Sequence, residues 1–119
     1  MDIHVRRVYE PMAQGEGQRI LVDRLWPRGI AKAALAEVPW LKEIAPSNEL
    51  RAWFGHEPAK WTEFRRRYFT ELDANPDAVA ALHALLKSKG RTTLLFGARD
   101  ALHNNAVALR EYLLAHPRH

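Results

Sequence analysis

One stretch of the chain, residues 20–32, constrains the fold more than any other. It reads I-L-V-D-R-L-W-P-R-G-I-A-K. Its first three residues are apolar, and a short run of this kind predicts a strand that is covered on both faces. Pro27 fixes its own φ and favours an extended Trp26, whereas Gly29 permits a turn. We therefore predict a buried strand that leads into a stiff basic loop, defined as residues 23–32.

Length and composition limit the class of protein. The 119 residues are predicted to form one domain, 1–119, with a single core. The chain has no cysteine, which excludes disulfides, thiol catalysis and Cys-ligated zinc and favours a reducing compartment. No signal-peptide pattern or apolar run of membrane-spanning length is seen. We expect a cytoplasmic protein with no membrane partner.

Two further strands are predicted, at residues 3–9 and 92–96, from their β-branched and apolar residues. The segment 10–18 is short for a helical crossover, so the first two strands either form an antiparallel pair or are not neighbours. Apolar spacing and helix-breaking residues predict helical segments at 31–36, 40–44, 48–54 and 58–72. Another helix is predicted from residue 76 to a C-terminal end at Gly90, and a final helix is predicted to end at about residue 115. This order predicts a small, three-layer-like α/β fold with a short, mostly parallel sheet flanked by helices.

The charge of the chain favours an anionic partner. The formal net charge is +4, and most of the basic residues are arginines, which bind carboxylate or phosphate bidentately. This balance suits a small anionic ligand or nucleic acid. A bias of the coding sequence towards Ala and Arg explains the same composition, so composition does not decide the function.

The predicted binding residues follow two strands. The basic loop carries Asp23, Arg24, Trp26, Arg28 and Lys32. In open α/β sheets, ligands bind outside the carboxyl ends of the strands. The strand at 92–96 is followed by a turn at 97–102 and by a helix that starts near Asn104 or Asn105, where free backbone N–H groups can bind an anion. If the strands are parallel, both loops lie at one edge, and an anion or an acidic side chain is expected between them.

Asp23 and His56 are the candidate catalytic residues. Asp23 could be a general base, a metal ligand or an orienter of an arginine, and the alternative is a structural ion pair with a neighbouring arginine. His56 follows the helix at 48–54 and is the best titratable candidate, and a structural or surface histidine is the alternative. Arg51, in that helix, is added to the predicted anion-binding residues. The histidines lack metal-ligand spacing, so no metal or cofactor is predicted.

Several longer phrases occur together: R-V-Y-E-P, L-V-D-R-L-W-P-R-G-I, W-L-K-E-I-A-P-S, E-L-R-A-W-F-G-H, F-R-R-R-Y and T-L-L-F-G-A-R-D. Over about residues 3–114 the chain resembles the YeaO-like family, a bacterial domain of unknown function. The resemblance implies a compact, cytoplasmic α/β protein and no established activity. Relatives often carry His at the position of Asn105. In longer relatives, the sequence at the positions of residues 104–106 resembles Cys-His-Arg. Since Asn cannot shuttle protons near neutral pH, this departure disfavours acid–base chemistry there.

Three functional hypotheses remain. The first is a domain that binds a small anionic or phosphorylated ligand in an arginine-rich cleft. If the cleft is catalytic, Asp23 or His56 would move protons while arginines stabilise negative charge. The second is a nucleic-acid-binding module that uses its basic surface and an exposed Trp26, and in which the arginine run 65–67 could track phosphates. The third is a protein-interaction module with an exposed apolar patch. The sequence leaves enzyme status and oligomeric state open.

Overall fold

A computed structural model describes residues 2–12, 14–86 and 90–116. Its sheet has three strands, β1 (Asp2–Arg7), β2 (Gln18–Leu21) and β3 (Arg91–Phe96). All pairings are parallel, and the spatial order is β1-β3-β2. The predicted small α/β fold is therefore confirmed. The first two strands are not neighbours, because the last strand in the sequence lies between them.

The central strand β3 and the end of β2 are buried on both faces, as their apolar residues predict, whereas Ile3 is the buried residue of the edge strand β1. On one face, alternate residues of β2 and β3 join the main helical core, to which Val22 also contributes with no exposed surface. On the other face, Leu21 and Leu95 form a smaller cluster with Leu35. The predicted burial of Leu21 and Val22 is confirmed. Beyond the end of β2, the Val22 amide still donates to the Leu95 carbonyl at 3.2 Å.

The described residues form four α-helices, α1 (Asn48–Phe54), α2 (Trp61–Asp73), α3 (Pro76–Leu86) and α4 (Asn105–Ala115), which contribute to the core on one face of the sheet. Ser47 caps α1 by accepting a hydrogen bond from the Leu50 amide at 3.1 Å, and Gly55 ends it in the left-handed conformation. The predicted limits of α1 are confirmed. The segments Lys32–Leu35, Lys42–Ile44 and Pro58–Lys60 are 3-10 helices. The predicted continuation of α3 towards Gly90 passes through 87–89, which lie outside the described residues.

The outer edge of β2 is occupied by an irregular segment. The Leu21 amide donates to the Pro39 carbonyl and the Leu41 amide donates to the Leu21 carbonyl, both at 2.9 Å. This pairing holds Trp40 beside β2. None of the helices within the described residues is sufficiently long and apolar to cross a membrane.

The parallel sheet brings two loops to the edge where its strands end. The basic loop follows β2, and the β3–α4 loop (residues 97–104) follows β3. Both loops contribute walls to one cavity, as the parallel arrangement predicted. The helix α1 and the turn after it form a further wall.

Candidate functional site

The cavity at this edge of the sheet, here called the cleft, has a volume of about 680 Å³. Roughly 300–1,000 Å³ is usual for small-molecule sites in proteins. The predicted residues that line the cleft are Asp23, Arg24, Trp26, Arg28, Arg51, His56, Asn104 and Asn105. Lys32 is not among the residues that line it. Topology therefore assembles nearly all of the predicted set in one place.

Asp23 is the carboxylate of the cleft, and it is held by residues distant in sequence. Its Oδ2 accepts a hydrogen bond from the Gly97 amide at 2.8 Å, and its Oδ1 accepts one from the Asn105 side chain at 3.1 Å. A Cβ at Gly97 would lie 3.1 Å from Asp23 Oδ2, so the absence of a side chain there permits the close approach. The structural ion pair with a neighbouring arginine, which was the alternative for Asp23, is not formed among the described residues.

Burial raises the pKa of the Asp23 carboxyl above its ordinary value. The hydrogen bonds from Asn105 and Gly97 and the positive charge of Arg51 act in the opposite direction. Loss of water around the carboxylate therefore outweighs the donors that the protein supplies. A carboxylate has about four acceptor positions, and the protein uses two of them here.

The arginines of the cleft differ in their partners. Arg24 donates to the Ala45 carbonyl at 3.0 Å and lies 3.7 Å from a Glu43 carboxylate oxygen, so it braces the basic loop. Arg51 donates to the Asn48 side chain at 2.9 Å and forms no carboxylate ion pair in the described parts of the chain. Arg28 is exposed, and its side chain likewise has no such partner among these residues. Two cleft arginines are thus available to a ligand.

Trp26 lines the cleft but is fixed by its own surroundings. Its indole N–H donates to the Ile30 carbonyl at 2.6 Å, and its ring meets Trp40 edge-on at 5.3 Å between centroids. The Lys32 ammonium lies 4.8 Å from the Trp26 ring centroid and 5.8 Å from that of Trp40. Lys32, which was predicted as a binding residue of the basic loop, packs on these rings and does not line the cleft.

The start of α4 uses both of its asparagine side chains internally. Asn104 is the N-cap residue, since its side chain accepts a hydrogen bond from the Val107 amide at 3.0 Å. Its amide nitrogen also donates to the Asp100 carbonyl at 2.9 Å. Asn105 donates to the Val22 carbonyl at 3.0 Å as well as to Asp23. The two side chains therefore shape the cleft and position Asp23.

Comparison with known proteins assigns the chain to a family. Residues 2–118 match a family described as the inactive DUF488-N3 subclade. The chain belongs to this subclade. It is 44% identical over 113 residues to the uncharacterized protein YeaO of Escherichia coli K12, which covers 95% of this chain and 97% of YeaO. The expected YeaO-like resemblance is confirmed.

A second relative is mycobacterial. The uncharacterized protein Rv3073c of Mycobacterium tuberculosis H37Rv is 41% identical over 113 residues, covering 93% of this chain and 92% of Rv3073c. No solved structure matches the chain significantly. Both relatives are described as uncharacterized, so the comparisons assign no ligand to the chain.

In this member of the subclade, the cleft also contains a histidine that sequence reasoning missed. His103 Nδ1 lies 2.9 Å from Asp100 Oδ2, and the ring meets Trp61 edge-on at 5.3 Å. The Leu102 amide and the His103 side chain hold the pKa of Asp100 below its ordinary value. The D-x-x-H spacing after the glycine turn was the available signal. This contact fixes the ring through Nδ1.

His56 lies at the outer part of the cleft. It is exposed, and its φ of 58° is in the left-handed region, directly after Gly55 at 55°. Its ring centroid is 6.4 Å from that of Phe54. A non-glycine residue in this conformation carries strain, which is found often at functional sites. Within the described residues there is no cluster of three potential metal ligands.

Proposed function

We propose that this protein is a binding domain that holds a small anionic ligand, such as a phosphorylated metabolite, in the cleft. The observation that carries this proposal is the convergence of Arg28 and Arg51 on one cavity without a carboxylate ion pair in the described residues. Several arginines elsewhere are paired with carboxylates: Arg6, Arg65, Arg66, Arg67 and Arg91.

Two guanidinium groups beside one partly enclosed cavity attract anions. The guanidinium fork matches the geometry of phosphate and carboxylate oxygens. Asp23 offsets part of this positive charge, and Arg51 is the arginine whose charge acts on it. Since Arg28 adds a second cation, the cleft keeps an excess of positive charge that favours an anion.

Binding without turnover is the better-supported form of this proposal. The YeaO-like resemblance implies His in many relatives at the position of Asn105, and an amide cannot act as a general acid or base near neutral pH. The description of the DUF488-N3 subclade as inactive points the same way. Ser47, a residue type that can act as a nucleophile, is used to cap α1. Asp23 and His56 are therefore proposed to contact the ligand rather than to move protons for a reaction.

The structure favours a small ligand over nucleic acid. In the arginine run at 65–67, Arg66 and Arg67 contact Glu63, and Arg65 contacts Glu111. These carboxylates offset the charge that would otherwise attract a phosphate backbone. Exposed leucines such as Leu25 and Leu102 do not indicate a protein partner, because scattered apolar residues are normal on surfaces.

The proposal includes a cytoplasmic location, which the cysteine-free sequence suggests.

The proposal is tested by titrating inorganic phosphate and propyl phosphate into the protein and measuring heat and thermal stability. We expect at least one of them to bind and to raise the melting temperature, since a ligand that binds only the folded state stabilises it. Arg51→Ala should weaken binding roughly tenfold or more, as expected for one charge-assisted contact. Arg66→Ala, on the surface of α2, is the matched control. Equal losses in both variants, or no binding by the wild type, would refute the proposal.

A further inference from the structure

We infer that Asp23 determines which anions the cleft accepts, and that the ligand carries hydroxyl groups next to its anionic group. This inference rests on the proposed function of the cleft and adds the chemical class of the ligand. In this arrangement Arg28 and Arg51 bind the phosphate, and Asp23 accepts hydrogen bonds from the neighbouring hydroxyl groups. The ligand class is therefore a polyol or sugar phosphate.

The first support is the unused acceptor capacity of Asp23. The Gly97 amide and the Asn105 side chain each occupy one position on the carboxylate, which offers about four. The side chain forms part of the cleft wall and is only partly buried. No ion pair with an arginine or lysine within the described residues occupies its other positions. The remaining acceptor positions are thus open to a molecule in the cleft.

The second support is the cost of covering this carboxylate with the wrong ligand. A ligand without hydrogen-bond donors would displace water from Asp23 and leave acceptor positions of the carboxylate unsatisfied. Burying a charged acceptor without donors costs free energy. The ligand's own negative charge would also lie close to the carboxylate and repel it. A hydroxyl group restores the lost hydrogen bond and separates the two charges.

The third support is the spacing of the two functions. Arg51 and Asp23 both line the cleft, so the proposed anion site and the acceptor face one cavity. One small molecule can therefore carry its phosphate to the arginines and its hydroxyl groups to Asp23. The volume of about 680 Å³ leaves room for a carbon skeleton between them. Phe54 and Phe64 supply apolar wall for such a skeleton.

Asn105 is the positioning residue for this acceptor. Its amide nitrogen donates to the Val22 carbonyl and to Asp23 Oδ1 together. The contact with the backbone of the strand fixes the amide, and the amide in turn fixes the carboxylate. Gly97 holds the other oxygen. Asp23 is thus oriented before any ligand arrives, which lowers the entropic cost of binding.

Three phosphate monoesters of equal carbon chain length test the inference on the wild-type protein by calorimetry. They are sn-glycerol 3-phosphate, propyl phosphate and 2,3-dimethoxypropyl phosphate. We expect glycerol phosphate to bind roughly tenfold or more tightly than propyl phosphate, the change that one hydrogen bond to a charged acceptor produces. The dimethoxy compound keeps the oxygens but lacks the donors, so it should show no such advantage.

The outcomes separate the two proposals. If propyl phosphate and glycerol phosphate bind equally well, Asp23 does not select the ligand, and the anion-binding function stands. If the dimethoxy compound binds as tightly as glycerol phosphate, hydrogen-bond donation is not the cause, and the inference is wrong. If none of the three binds, the proposed function fails and this inference fails with it.

Asp23→Asn tests the same inference from the protein side. The amide keeps the size of the side chain but replaces one acceptor oxygen with a donor. We expect the variant to lose the preference for glycerol phosphate while still binding propyl phosphate. Asp73→Asn, which removes the carboxylate that accepts a hydrogen bond from Tyr112, is the control and should keep the preference. A folded Asp23→Asn protein that keeps the preference would overturn the inference. If it does not fold by circular dichroism, the three wild-type titrations decide.

Discussion

Arginines and carboxylates meet in two regions of this molecule with opposite results. On the surface of α2, the side chains of Arg66 and Arg67 both contact Glu63, and these hydrogen bonds lower the pKa of Glu63 to about 2. In the cleft, Asp23 forms no ion pair with any residue that the structure describes, and burial raises its pKa. Arginine and carboxylate charges thus neutralise each other in ion pairs on α2, whereas Asp23 and the arginines of the cleft do not form an ion pair.

The difference follows from how each region is built. On a helix, residues three and four positions apart are neighbours, so Glu63 is placed beside Arg66 and Arg67 by local geometry alone. The cleft collects residues from separate segments, and each is held by a different contact. Asp23 is fixed by Gly97, 74 residues away, and Arg28 lies in a loop without a facing carboxylate in the described chain. A visible run of arginines is therefore a weaker sign of a binding site than isolated arginines that topology brings together.

The largest expected effect is on the free energy of unfolding, and it comes from a substitution just after β2, where the chain enters the cleft. Val22→Ala should lower the free energy of unfolding by about 1–3 kcal/mol, because the fully buried side chain loses contacts and leaves a cavity. Arg66→Ala should have a much smaller effect, since exposed ion pairs contribute little. Urea unfolding of both variants measures the two effects. Equal effects would show that the cleft does not depend on the end of β2 in this way.

Removal of Arg28 sharpens the contrast between binding and stability. Arg28→Ala should leave the melting temperature nearly unchanged, because exposed loop side chains contribute little to folding. Its affinity for inorganic phosphate or propyl phosphate should nevertheless fall roughly tenfold. Thermal scans and calorimetry measure both quantities on one preparation. A variant that unfolds, or that keeps full affinity, would mean that Arg28 is structural or lies outside the binding site.

The stability of Asp23→Asn relative to the wild type should depend on pH. Because the pKa of Asp23 is raised in the folded state, folding takes up protons in the window from about 3.8 to that raised pKa. As the pH rises through this window, the wild type should lose stability relative to the Asn variant. Urea unfolding of both proteins across the acid range measures this difference. A difference that stays constant would show that burial does not control the ionisation of Asp23.

The corresponding change on α2 should have the opposite sign. The pKa of Glu63 is lowered from 4.5 to about 2, so its stabilising effect is present above 4.5 and is lost as the pH falls towards 2. The wild type should therefore gain stability over Glu63→Gln as the pH rises through this window. Salt should reduce the effect, because the side chains are exposed. An unchanged difference in high salt would argue against an electrostatic cause.

Much of this architecture could be predicted because its signals are local. Ser47 and Gly55 define α1 at both ends, and the apolar runs of β2 and β3 indicate a covered sheet. Parallel strands then bring their following loops to one edge, which placed most of the candidate residues in the cleft. These inferences require only neighbouring residues and the general handedness and direction of α/β connections.

Side-chain partners were harder to predict, because they depend on tertiary contacts. The sequence offered a neighbouring arginine as a partner of Asp23, but adjacent side chains in an extended chain point in opposite directions. The side-chain donor to Asp23 is Asn105, 82 residues away. The position of Lys32 depends on Trp40, which is held beside β2 by backbone hydrogen bonds. No pattern in the basic loop itself contains that information.

The position of β3 has a consequence for how this protein is made. It is the central strand of the sheet but the last of the three to be synthesised, and Asp2 meets Arg91 across 89 residues. A ribosome therefore releases β1 and β2 well before their common partner exists. During that interval we expect both strands to be exposed to aggregation or chaperones, and folding to be slowed by the long loops that must close. Gly97 and Asn105 emerge later still, so the cleft is completed in the final part of synthesis.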